Sequence, residues 1–278
     1  MGSHRNRLHG MLTLSYFESE MAPAMNPFVP DDVSGLTLRM RKTIWSLQGR
    51  IGPRRIMKTL FPAPSISFFD VKQHPGVQGY VGLTIDDAFC SPDRTPSSML
   101  GDVRNLLQQT EAKATFFAML QGFRFVDHPS VQELLSDGHE MGNHCVADKP
   151  YDKTSEFGFE AALEKTGESI EALQGFRTPW FRAPHGKLSA VMKRVLERHG
   201  LINIMVDCYA NDPFIPDSRY LADFILRYVE DGSIVLLHMP ERGFREWNYD
   251  ALARVLDGLR QKGLKPVTIS VLYGRAAA

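Results

Sequence analysis

The sequence predicts an α/β fold organised around a parallel β-sheet, and two observations support this prediction. From about residue 79, short apolar runs alternate with longer segments of helical periodicity. The apolar runs are continuous, which is typical of strands that are covered by helices on both faces. If the strands close into a barrel, catalytic groups are expected at their carboxyl ends, directly after each apolar run.

The pattern assigns strands and helices in chain order. The predicted strands are Tyr80–Ile85, Ala114–Met119, Trp180–Arg182, Leu201–Val206, Ser233–Leu237 and Lys265–Ile269. The predicted helices are Gly158–Leu173, Ser189–His199, Arg219–Glu230 and Tyr249–Lys262. No internal repeat or low-complexity tract interrupts this region.

The composition is that of a globular protein with balanced charge. The 278 residues include 32 Lys and Arg, 32 Asp and Glu, and 43% hydrophobic residues, enough to bury a full core. A general nucleic-acid binder would show a basic excess, so no nucleic-acid partner is expected. No transmembrane run or secretory signal is visible, and three cysteines are too few for a disulfide framework. These features favour a cytoplasmic location.

Residues 1–78 precede the strand pattern and are interpreted as an N-terminal extension to a main domain of residues 79–278. Between residues 36 and 60 the extension contains seven Lys and Arg side chains and no Asp or Glu. Apolar residues recur there at helical spacing until Gly52 and Pro53 interrupt the pattern: Met40, Ile44, Leu47 and Ile51.

The basic amphipathic helix of residues 36–60 has two interpretations. It can contact an anionic membrane or polymer, or it can pack on the main domain and leave its cationic face in solvent. We favour packing on the main domain, because no lipid-facing stripe continues past Pro53.

Polar side chains stand at the ends of several predicted strands. They are Asp86 and Asp87, His144 with Asp148, Arg182, Asp207 with Asp212, and His238. Taken singly, each has a structural explanation, such as a helix cap or a turn. His139 and His144 are five residues apart, so they do not form the HExxH motif of zinc proteases. His144 and Asp148 are four apart, a spacing that suits two ligands of one metal.

The order of these motifs resembles the polysaccharide deacetylases, the NodB-homology carbohydrate esterases. The motifs are Thr-Ile-Asp-Asp-Ala, Gly-His-Glu-Met-Gly-Asn-His, Arg-Ala-Pro-His-Gly, Asp-Pro and Ile-Val-Leu-Leu-His, within about residues 79–272. The resemblance implies a distorted (β/α) barrel of about seven parallel strands with an N-terminal extension. It also implies hydrolysis of acetyl groups on an oligo- or polysaccharide such as chitin or peptidoglycan.

The resemblance assigns roles position by position. It implies Asp86 as the catalytic base, Arg182 as the arginine that holds it, and His238 as the catalytic acid. The backbone N–H of His185 corresponds to the family's oxyanion donor. Either Asp212 or Asp207 orients the acid, and the Asp-Pro context favours Asp212.

The same resemblance implies a divalent metal, with Asp87, His144 and Asp148 at the ligand positions. Zinc is expected, with Mn, Fe, Co and Ni as alternatives. Two departures from the family pattern stand out, because Ala88 replaces a glycine and Asp148 replaces the second histidine ligand. An aspartate can bind zinc, but its side chain is shorter and its charge makes the metal a weaker Lewis acid.

Three functional hypotheses follow. The first is a metal-dependent hydrolase that removes acetyl groups from N-acetylated sugars. The second is a catalytically degenerate glycan-binding or scaffold protein on the same fold, and the third is an amidase for a small non-sugar amide. The cysteines are interpreted as small buried residues, although soft metal ligands or redox-sensitive thiols are alternatives: Cys90, Cys145 and Cys208.

Overall fold

Seven strands form one sheet in the computed structural model, which describes residues 35–62, 64–89 and 98–278. The strands are β1 (Tyr80–Ala88), β2 (Thr115–Ala118), β3 (Glu140–Asn143), β4 (Trp180–Phe181), β5 (Ile202–Asn203), β6 (Ile234–His238) and β7 (Lys265–Val267). Residues 1–34 of the predicted extension, and Cys90, lie outside the described residues.

Helices cover the sheet and alternate with its strands. They are α1 (Gly35–Arg50), α2 (Pro53–Leu60), α3 (Leu100–Gln109), α4 (His128–Ser136), α5 (Glu156–Gln174), α6 (Ala190–Arg198), α7 (Ser218–Tyr228), α8 (Trp247–Gln261) and α9 (Ile269–Ala277). In the described ranges no helix is long and apolar enough to span a bilayer.

The sheet is parallel and curls into a distorted barrel. Its strand order is β5-β4-β3-β2-β1-β6, and β7 pairs with the first residues of β1. Beyond β5 the chain runs on to Cys208, which pairs with Val235 in β6 and bridges the two edges of the sheet. The predicted fold of about seven parallel strands is therefore confirmed.

Strand β3 is the strand that the sequence pattern did not predict. Its four residues, Glu-Met-Gly-Asn, lack an apolar run, and their pairing with β2 fixes them as a strand. Gly142 lies opposite Phe117, and a Cβ at Gly142 would come within 2.5 Å of that ring. The glycine is therefore required by the close approach of two neighbouring strands.

Helix α1 packs on the barrel through a face that the sequence analysis did not anticipate. The Trp45 indole donates a hydrogen bond to the Tyr209 carbonyl at 3.0 Å, and Gly49 is buried against Tyr228. Two cations turn inward, since Lys42 pairs with Asp217 and Arg54 of α2 pairs with Asp207.

Helix α1 packs on the main domain, as expected, but the expectation that its cations face solvent is wrong for Lys42 and Arg54, and the apolar residues that predicted the helix are exposed instead. The residues concerned are Met40, Ile44, Leu47 and Ile51. The physical reason is that the barrel offers carboxylates and an apolar recess to the opposite face, where the large Trp45 ring and the inward cations find partners.

Candidate functional site

The carboxyl ends of the strands open into a cavity of about 960 Å³. Residues 86 and 238 are register partners in the parallel pair β1 and β6, so Asp86 and His238 lie side by side. Every predicted site residue except Asp212 lines this cavity, and Asp212 lies directly behind His238. Helices α1 and α2 form part of the cavity wall.

Asp86 is held by a buried arginine. Arg182 follows β4 and donates from Nη1 to Asp86 Oδ1 at 2.5 Å and to Thr84 Oγ1 at 2.8 Å. Its guanidinium carbon also lies 4.1 Å from the centre of the Phe117 ring. Burial lowers the pKa of Arg182, and the charge of Asp86 opposes that effect. The pair therefore fixes the orientation of the carboxylate.

His238 is held by Asp212, and not by Asp207. Its Nδ1 lies 2.9 Å from Asp212 Oδ1, and its backbone N–H donates to Asp212 Oδ2 at 2.8 Å. Asn248 donates a further hydrogen bond to Asp212 Oδ2 at 2.5 Å. Burial alone would lower the pKa of His238, but the charge and hydrogen bond of Asp212 outweigh it and raise the pKa to about 9.

Asp207 binds helix α2 instead. It accepts from Arg54 Nε at 2.8 Å, from Ser233 Oγ at 2.9 Å and from the Ile234 N–H at 2.8 Å. Burial raises the pKa of Asp207 to about 6, against the opposing charge of Arg54. This carboxylate therefore anchors α2 to the barrel.

Two of the three predicted metal ligands, His144 and Asp87, have potential metal-binding atoms close to each other. His144 donates from Nδ1 to the Arg182 carbonyl at 2.9 Å, which leaves Nε2 as a lone-pair donor. That nitrogen lies 3.6 Å from Asp87 Oδ1, a buried oxygen with no hydrogen-bond partner in the described part of the chain. An imidazole nitrogen and an orphaned carboxylate oxygen fit a divalent cation.

The third predicted ligand is engaged elsewhere. Asp148 Oδ1 lies 3.0 Å from His185 Nε2, and the two form an ion pair when the imidazole is protonated. Burial would raise the pKa of Asp148, but the hydrogen bond and charge of His185 lower it. Within residues 35–62, 64–89 and 98–278, no three His, Cys, Asp or Glu side chains converge as a metal site. In this structure Asp148 Oδ1 is therefore bound to His185 rather than directed at the other two ligand positions.

Arg245 is a site residue that the sequence analysis missed. It is buried, and it donates from Nη1 to Asp87 Oδ2 at 2.9 Å and from Nη2 to Glu241 at 3.1 Å. The segment between β6 and α8 has no strand or helix periodicity, so the sequence gives no signal that this arginine turns inward. Asn248 was also missed, because it lies in the first turn of α8, one residue before the predicted start of that helix at Tyr249.

The described cysteines are buried, as predicted. Cys145 and Cys208 are 0% and 1% exposed. Burial raises the pKa of both thiols, so neither is poised as a thiolate ligand or nucleophile.

Comparison with known proteins identifies the family. A family model for polysaccharide deacetylases matches residues 74–204. The chitooligosaccharide deacetylase of Azorhizobium caulinodans is 31% identical over 202 residues, covering 67% of this chain and 90% of that protein. The chain belongs to the polysaccharide deacetylase family. A peptidoglycan-N-acetylglucosamine deacetylase of Bacillus cereus is 28% identical over 207 residues, covering 71% of this chain and 90% of that protein.

A solved structure with the same fold is a pseudoenzyme. It is a carbohydrate esterase family 4 protein from Bacillus anthracis, with a TM-score of 0.61 and 24% identity. The match covers 70% of this chain and 65% of that chain. The family thus includes proteins named as deacetylases, and the same fold occurs in at least one protein named as a pseudoenzyme.

Proposed function

We propose that this polysaccharide deacetylase family member hydrolyses the acetyl amide of an N-acetylated sugar in an oligo- or polysaccharide. The proposal rests on one observation: a carboxylate and an imidazole, each held by a charged hydrogen-bonding partner, lie at the same cavity. Asp86 with its arginine and His238 with its aspartate stand on the neighbouring strands β1 and β6. The relatives named for peptidoglycan and chitooligosaccharide deacetylation support this substrate class.

Asp86 would act as the general base. Arg182 holds Oδ1, so Oδ2 is the oxygen available to take a proton from the attacking water. The water oxygen then bonds to the acetyl carbon. The backbone N–H of His185 would donate to the oxyanion that forms, at a turn where His185 takes a φ of 55°.

His238 would act as the general acid. Its Nδ1–H is used by Asp212, which leaves Nε2–H to donate a proton to the leaving nitrogen. The C–N bond then breaks, giving acetate and a free amine on the sugar. Because its pKa is about 9, His238 carries this proton at neutral pH.

The family depends on a divalent metal, and Asp87 and His144 would hold it, with Asp148 as the third ligand once released from His185. When bound, such an ion polarises the acetyl carbonyl and activates water. The identity of the metal, zinc or one of its first-row alternatives, is part of this proposal.

The test is the Asp86→Asn variant, assayed by acetate release from chitooligosaccharides and by elemental analysis of bound metal. Turnover should fall by about a thousandfold or more, since the base is lost while the shape is kept. Metal content should not change. The control is Asp102→Asn, because Asp102 pairs with Arg242 where both side chains are exposed and neither lines the cavity. Undiminished turnover in Asp86→Asn contradicts the proposal, and loss of metal reassigns Asp86 as a ligand.

A second candidate function is glycan binding without hydrolysis. It is favoured by the two ion pairs that engage the predicted metal ligands, Asp87 with Arg245 and Asp148 with His185. Calorimetry with chitooligosaccharides separates the two candidates. Binding without acetate release, with zinc or manganese present, supports this second function.

A further inference from the structure

Helix α1 exposes a continuous apolar stripe. Four of its members lie on α1 and Ile51 directly follows the helix; all are 53 to 71% exposed and recur every three or four residues: Leu36, Met40, Ile44, Leu47 and Ile51. On an α-helix this spacing places the four α1 side chains along one line. Single exposed apolar residues are ordinary on a protein surface, but an aligned set of four on one helix marks an interaction surface.

Exposed cations border this stripe. Arg39 and Arg50 lie on the adjoining side of α1, and α2 adds Arg55 and Lys58. No Asp or Glu occurs between residues 36 and 60, although the whole chain has zero formal charge. The α1–α2 surface therefore combines a line of apolar side chains with a local positive charge that the rest of the chain balances.

We propose that the α1–α2 surface docks on an anionic phospholipid bilayer. Apolar side chains enter the boundary between head groups and acyl chains, while Lys and Arg at the edge contact lipid phosphates. Charge complementarity favours this occupant. A second copy meeting the surface through a two-fold axis would oppose one positive face to another.

The stripe ends at the cavity that holds the candidate active site. Ile51 and Leu60 are each 63% exposed, and both also line that cavity. Docking through α1 and α2 would therefore bring the rim of the cavity to the membrane surface. The binding itself does not depend on whether the cavity hydrolyses or only binds its ligand.

Vesicle flotation of the full chain tests the proposal. The vesicles are phosphatidylcholine alone, or phosphatidylcholine mixed with phosphatidylglycerol. The chain should float with the anionic vesicles and be released by high salt, since each cation near the surface contributes about fivefold to partitioning. A variant with Met40→Gln, Ile44→Gln and Leu47→Gln should bind roughly a hundredfold more weakly.

The matched control replaces apolar residues that are equally exposed elsewhere, Phe157→Gln and Phe176→Gln. It should float as the unchanged chain does, and circular dichroism verifies that each variant is folded. Failure of the full chain to bind anionic vesicles overturns the proposal, as does equal binding by the stripe variant. Light scattering then tests whether a second copy of the chain covers the stripe instead. In that case the unchanged chain would be a dimer and the stripe variant a monomer.

Discussion

Arg245 donates a hydrogen bond to Asp87 at 2.9 Å, so the carboxylate predicted to bind a metal already has a buried cationic partner. Burial would lower the pKa of Arg245, but the charges of Asp87 and Glu241 outweigh it and raise the pKa. A divalent ion at Asp87 and His144 would share the carboxylate with this fixed guanidinium. The two positive charges repel one another, and this repulsion weakens metal affinity.

Replacing Arg245 by Met should strengthen metal binding. The Arg245→Met variant keeps much of the side-chain volume and removes the charge, so zinc affinity measured by calorimetry should rise by about tenfold or more. Without metal the variant should lose roughly 3 kcal/mol of unfolding free energy, because the buried carboxylates of Asp87 and Glu241 lose their hydrogen bonds to Arg245. Zinc should restore part of that loss.

The matched control for this change is Arg242→Met. Arg242 pairs with Asp102 where both side chains are exposed, so its removal should alter neither metal affinity nor stability by a measurable amount. If Arg245→Met binds zinc no better than the unchanged chain, the guanidinium does not oppose the metal.

Asp148→His should increase the metal that the purified protein retains. The new imidazole can act as a ligand beside His144, and the ion pair that now engages Asp148 is removed. Elemental analysis of protein prepared without chelator measures the effect, with Asp148→Ala as the control. Both variants break the pair with His185, but only the histidine supplies a donor. Equal metal content in both would show that position 148 is not a ligand position.

The sequence alone could place the candidate site because the fold rule is simple. Continuous apolar runs predicted a parallel sheet, and parallel strands bring their carboxyl ends to one side. That rule alone gathers Asp86, Arg182 and His238 at one cavity, as the structure has them. The register of β1 with β6 then places residues 86 and 238 opposite each other.

Contacts that depend on tertiary packing could not be predicted in this way. Arg245 lies in a segment without periodicity, and only the folded chain shows that it turns towards Asp87. The orientation of α1 was predicted wrongly, because helical spacing identifies an apolar stripe but not what covers it. In the structure Trp45 packs on the barrel and the stripe faces solvent.

Arg54→Gln should weaken the attachment of α2 and destabilise the fold. Arg54 is the cation that pairs with buried Asp207, so its loss should cost roughly 3 kcal/mol of unfolding free energy in urea. Adding Asp207→Asn to the variant should recover part of this cost, because no unpaired charge remains. The control is Arg55→Gln at the exposed neighbouring position.

The same pair predicts a dependence of stability on pH. The folded pKa of Asp207, about 6, lies above its ordinary value of 3.8, because burial opposes ionisation. The contribution of this group to stability is therefore largest at low pH and decreases as pH rises through that interval. In Arg54→Gln this decrease in stability should extend to higher pH. The reason is that the folded pKa of Asp207 rises further once the cation that favours its ionised form is removed. An unchanged profile would mean that Arg54 does not lower the pKa of Asp207.

The pKa of His238 should fall when Asp212 loses its charge. Asp212 and Asp87 raise this pKa, whereas burial and Arg245 lower it, and the balance gives about 9. In Asp212→Asn, burial and Arg245 still lower the pKa of His238, but the charge of Asp212 no longer raises it. The midpoint of the His238 titration, followed by NMR, should therefore move to lower pH.

The pH dependence of acetate release should follow the protonation of His238. A general acid works only when protonated, so the alkaline limb of kcat/KM for acetate release should move to lower pH in Asp212→Asn. Tyr209→Phe is the control, because the Tyr209 ring lies 6.0 Å from the His238 ring and the change removes a hydroxyl without altering charge. The alkaline limb of kcat/KM for Tyr209→Phe should lie at the same pH as that of the unchanged chain. If the NMR titration moves but the alkaline limb does not, His238 titrates as expected without being the proton donor, and the general acid must be sought among the other groups that line the cavity.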